Sequence, residues 1–80
     1  MHFTEVDTGD YRIYAGAIEK FRQFGYAAAV VVVRRGGSQR VAFRDDNLAG
    51  GYGWATAAEA LRFAIAAGKE AVTGRVGVRA

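Results

Sequence analysis

The sequence contains neither cysteine nor proline. Without cysteine, disulfide staples, thiolate metal ligands and thiol nucleophiles are all excluded. With no proline, internal repeat or low-complexity linker, nothing divides the 80 residues, and they read as a single domain. Residue types that usually carry catalysis are nearly as scarce. His2 is the only histidine and lies at a chain end, while Ser38 is the only serine and falls in a predicted turn with no base near it. Asp45 and Asp46 resemble a carboxylate pair, but adjacent turn aspartates ordinarily solvate a loop, and no third metal ligand is in view. The expectation is a protein that is not an enzyme and has no cofactor and no metal.

Long apolar runs are also missing. The longest, residues 26–33, is far too short to span a bilayer as a helix, and the N-terminal residues lack the apolar stretch of an export signal. A soluble, cytoplasmic protein without membrane contact is expected.

Hydrophobic residues are nonetheless abundant, at 51% of the chain. A domain of this size buries only about 60–65% of its unfolded surface, so a compact core leaves apolar side chains over. This surplus predicts a self-associating face and therefore a homodimer.

The net charge of +3 is unevenly spread. Glu5, Asp7 and Asp10 make the first ten residues acidic. Residues 11–44 then hold Arg12, Lys20, Arg22, Arg34, Arg35, Arg40 and Arg44 against Glu19 alone. Arginine suits stacking and bidentate anion contacts, and such clustering can mark a polyanion-binding surface.

Local patterns set out the elements. Residues 2–6 form a short edge strand, and residues 11–20 alternate as a longer one. Phe21 to Gly25 turn the chain. The four valines Val30 to Val33 oppose a helix through β-branching and predict a central strand buried on both faces. Gly36-Gly37 suits a type I′ hairpin, and a third long strand follows over about residues 39–44. Strict alternation there places Val41 and Phe43 on one face and Arg40, Ala42 and Arg44 on the other. Asp45-Asp46-Asn47 ends the strand, and Gly51 to Trp54 offer another short extended piece.

Thr56 and Glu59 have capping-box spacing, which starts a helix over about residues 57–72 with Gly74 as its stop. Ala57, Ala58, Leu61, Ala64, Ile65, Gly68 and Val72 form its apolar stripe. Phe63 falls on the opposite, polar side beside Glu59 and Glu70, which makes it the candidate dimer contact. Gly50-Gly51-Tyr52-Gly53-Trp54 is not a Walker loop, since no Gly-Lys-Ser/Thr follows, and reads as a lid that folds aromatic rings over the core. The tail, residues 75–80, fits either a frayed end or a last strand.

The sum is a small α+β domain: an antiparallel sheet of three or four strands with one C-terminal helix packed on one face, its ordered core spanning about residues 11–73. Gly25-Tyr26-Ala27-Ala28 opening a strand, together with the passage Trp54 to Leu61 around Thr56, Glu59, Ala60 and Leu61, resembles HicB-like antitoxin domains with their partial double-stranded-RNA-binding-domain fold. That resemblance implies the same strands-then-helix order. The proline-glycine turn common in that group is absent.

If the helix covers the Phe43 face, Arg12, Tyr14, Arg34, Arg35, Arg40 and Arg44 become candidates for an open, arginine-rich platform on which bases stack and phosphates are neutralised. The expected function is a non-catalytic binding module for nucleic acid or another polyanion. The alternative is a protein-interaction or dimerisation module.

Overall fold

The computed structural model describes residues 1–36 and 40–77. Four strands, β1 (His2–Asp7), β2 (Tyr11–Glu19), β3 (Tyr26–Arg34) and β4 (Arg40–Asp45), precede a short 3-10 turn (Leu48–Gly51) and one helix, α1 (Ala57–Gly77). The strands pair antiparallel in chain order, so each lies beside its sequence neighbour. The helix lies across β2 and β3 on one side of the sheet only. This is an α+β fold with an open sheet. The Ser38 turn lies outside the described residues.

Alternation decides what the helix covers. Ile13, Ala15 and Ala17 of β2 and Ala28, Val30 and Val32 of β3 face α1 and are buried, together with Ala60, Ala64 and Leu48. Each fully buried Ile or Val contributes about 1.5–3 kcal/mol. Small residues on both layers bring helix and sheet close. A Cβ at Gly68 would lie 2.6 Å from Ile13 Cγ2 and 3.1 Å from Val30 Cγ2, so glycine there is required by space.

The helix begins where its cap places it. Thr56 Oγ1 accepts a hydrogen bond from the Glu59 backbone N–H at 3.1 Å, which closes one half of the capping box. Its other end departs from expectation. α1 continues through Gly74 to Gly77, because Gly74 keeps a helical backbone instead of the positive φ of a stop, and residues 75–77 are helix and not strand. Ala60 joins the buried stripe and Ala58 is exposed, opposite to the expectation for Ala58.

Two further expectations are corrected. β3 is central in the sheet, yet it is not buried on both faces: Val30 and Val32 are buried while Val31 and Val33 are only half-buried. One helix supplies one covering layer, and nothing described lies over the other face. In β4, register slips between Val32 and Val33, so Val32 stands opposite Phe43 but Val33 opposite Val41. Ala42 is the extra residue of this bulge. Val41 therefore turns to the open face, 58% exposed, while Phe43 stays with the core. By the same slip Arg40 and Arg44 fall on opposite sides of the sheet.

Candidate functional site

The register assigns each candidate residue to a surface. Four cross-strand rows make up the open face: Ile18 and Ala27; Phe3, Gly16 and Ala29; Glu5, Tyr14, Val31 and Arg44; Asp7, Arg12, Val33 and Val41. Of the six platform candidates, Arg12, Tyr14 and Arg44 share this face. Arg34 and Arg40 stand opposite one another on the helix-bearing side, in the row of Tyr11. Arg35 lies just beyond β3, where its backbone N–H donates to Asp10 O at 2.7 Å.

The charges on the open face are largely neutralised within the chain. Arg12 Nε donates to Asp7 Oδ1 at 3.0 Å and its guanidinium lies 3.8 Å from Glu5. Arg35 reaches the same Asp7 oxygen at 3.2 Å. Arg44 pairs with Asp46 at 3.5 Å. The Arg12 hydrogen bond holds the Asp7 carboxyl below its ordinary range, and Asp7, followed by Tyr14, holds Arg12 still more firmly protonated. Asp45 uses its carboxylate on the Asn47 backbone N–H at 2.9 Å, a local turn role.

Between these pairs the open face is apolar. Phe3 lies over Gly16, its ring 3.5 Å from where a Cβ would stand, yet remains 72% exposed. Tyr14, Ile18, Ala27, Ala29, Val31, Val33 and Val41 extend the patch, none of them fully buried. Exposed apolar patches of this kind are often functional. The valines gave no sign of this, because a run of four reads as fully buried.

A second surface forms at the far end of β3. Trp54 is half-buried against the core, as a lid residue should be, but Tyr52 stays 59% exposed. Tyr52 and Trp54 rings meet edge-on at 4.8 Å, and Phe63 tilts against Trp54 at 4.6 Å. Phe63 thus engages Trp54 of its own chain and lies away from the open sheet face. With Phe24, Glu59, Arg62 and Ala66 these rings line a shallow groove of about 730 Å³. Phe24 escaped the sequence reading, although the glycines here were a usable signal: Gly25 and Gly53 each face the other loop's backbone with no room for a Cβ.

Among the described residues no group of three His, Asp or Glu side chains comes together in a way that would hold a metal ion. No described helix is long and apolar enough to cross a membrane. No protein-family model, curated protein or solved structure matches this chain.

Proposed function

We propose that the protein is a non-catalytic assembly module whose open sheet face packs against the same face of a second copy. The observation that carries this reading is the uncovered apolar centre formed by Phe3, Tyr14, Val31, Val33 and Val41, rimmed by charges already paired within the chain. A neutral, apolar face is self-complementary, which suits the isologous contact of a two-fold dimer. Stacking two such sheets about 10 Å apart would make the second covering layer that Val31 and Val33 lack.

Sedimentation velocity tests it. The wild type should run at twice the monomer mass, and Phe3→Glu combined with Val41→Glu should return it to monomer with its secondary structure retained. Wild type that stays monomeric at high micromolar concentration removes the proposal.

A second reading keeps nucleic acid or another polyanion as the ligand, with a different arginine set. Arg34 and Arg40 face one another across β3 and β4, and neither has a carboxylate partner among the described residues. Like charges directly opposite are unfavourable, and an anion between them would relieve this. Anisotropy with mixed single- and double-stranded DNA and RNA decides: binding should fall steeply between about 50 and 200 mM salt, and no signal at low salt dismisses the reading.

A further inference from the structure

We propose that the outer edge of β1 pairs antiparallel with the same edge of a second copy, centred on Thr4, so that the two open sheets run on into one another. This edge is a different surface from the open face, and the pairing stands whether or not the faces stack.

β1 is an outer strand. β2 occupies one side of it, and nothing among the described residues pairs with the other. Alternation fixes which backbone groups are left over. Thr8 N–H donates to Tyr11 O at 2.9 Å, one step beyond the Asp7–Arg12 pair. Hydrogen-bonded pairs in an antiparallel ladder recur at every second residue. Val6, Thr4 and His2 therefore bond to β2, while Phe3, Glu5 and Asp7 aim their N–H and C=O groups outward. Proteins usually blunt such an edge with proline, lysine, a bulge or a covering segment. β4, at the opposite edge, has the bulge at Ala42 with Arg40 and Arg44 on either side. β1 has six residues in unbroken register and holds neither proline nor lysine. Its carboxylates, Glu5 and Asp7, lean back onto Arg12 of β2.

The residues of β1 select both partner and register. A continuous sheet sets open-face residues opposite open-face residues, because side chains alternate with a period of two. Centring the self-pairing on Glu5 would put Glu5 opposite Glu5, and centring it on Val6 would put Glu5 opposite Asp7; like charges so placed are unfavourable. A centre at Phe3 pairs less of the strand. Thr4 at the centre sets Thr4 opposite Thr4, Phe3 opposite Glu5 and His2 opposite Val6, with no like charges facing. Phe3, 72% exposed, then reaches its own copy diagonally, within range for an aromatic ring. The outermost ring of the apolar face thereby gains the cover it lacks. Pairing of short strands without a further core is marginal. The contact therefore populates above the concentrations that stack the faces, and the doubled mass expected at micromolar concentration is unchanged.

Two measurements on the full chain test this. In amide exchange at near-millimolar concentration, the outward amides of Phe3 and Glu5 should exchange at least about tenfold more slowly than in dilute protein. Thr4 and Val6, bonded to β2, should stay protected at both concentrations. Stacked faces leave the edge open to water and give no such slowing. Mild oxidation of Thr4→Cys should yield a disulfide-linked dimer, since directly opposite residues of this kind have Cα atoms about 4.5 Å apart. Val6→Cys should not, because its counterpart lies four residues along, about 13 Å away. Adding Val41→Glu, which disturbs only the face, should leave the Thr4→Cys link intact. Adding Glu5→Pro, which removes an outward N–H and no bond to β2, should abolish the link with circular dichroism retained. The pairing is overturned if the Phe3 and Glu5 amides exchange equally fast at both concentrations, if Val6→Cys links as readily as Thr4→Cys, or if Val41→Glu abolishes the Thr4→Cys link.

Discussion

Tyr26 and Trp54 lie directly opposite one another and exchange both backbone hydrogen bonds, from Tyr26 N to Trp54 O at 2.8 Å and from Trp54 N to Tyr26 O at 3.0 Å. The loop before the helix thereby pairs with β3 where β4 has already ended. This single bridge seats the indole against the core, offers its far side to Phe63 and aims the chain at Thr56, where α1 begins.

Replacing Gly25 by alanine should undo that arrangement. Gly25 has φ +87°, and a Cβ there would sit 2.9 Å from the Gly53 carbonyl carbon and closer still to the Trp54 oxygen. Strain of this kind costs about 1–3 kcal/mol. Urea unfolding of Gly25→Ala should show that loss together with a red-shifted Trp54 emission. A wild-type spectrum would mean that the two loops are not held by this contact.

Helix propensity and packing make opposite predictions at Gly68. Alanine in an exposed helix gains about 1 kcal/mol over glycine. Here the new Cβ would meet Ile13 Cγ2 at 2.6 Å, and overpacking typically costs about 1–3 kcal/mol. Gly68→Ala should therefore lower the urea midpoint, and Gly68→Val should lower it further. A rise for both would show that the helix moves off the sheet without penalty.

The proposed face-to-face dimer would place the centre of one open face near its own copy. Because the chain has no cysteine, a single Val31→Cys variant should form a disulfide-linked dimer on mild oxidation. Thr73→Cys, on the exposed side of α1, should not. Equal cross-linking at both positions would argue for random collision.

The Asp7 cluster predicts a pH dependence with a definite sign. The hydrogen bond from Arg12, aided by the charges of Arg12 and Arg35, lowers the folded-state pKa of Asp7 below its ordinary 3.8. Its contribution is therefore complete above the unfolded value and is lost as pH falls below about 4 through the folded value. Because the carboxylate is solvent-exposed, the effect should be small and should fade in high salt. Thermal melts of Asp7→Asn should show a shallower loss between about pH 4 and pH 2 than wild type. Parallel curves would assign the acid sensitivity to other carboxylates.

Short-range preferences determined much of this protein directly. The valine run forced a strand, the alternation from Tyr11 marked β2, and the spacing of Thr56 and Glu59 started the helix, because each depends on backbone sterics or on hydrogen bonds within a few residues. Which faces remain open was decided only by tertiary structure. A run such as Val30 to Val33 looks the same whether one layer or two will cover it, and a single helix covers one. The extra residue at Ala42 turned Val41 outward and separated Arg40 from Arg44, which no strict alternation foresees. Arg12 and Arg35 meet Asp7 only through strand register and the close of the β1–β2 turn. The glycine-aromatic loop shows both levels at once: its composition marked a loop that folds aromatic rings back over the core, but only the folded chain revealed that Phe24 and Phe63 complete the groove around Trp54.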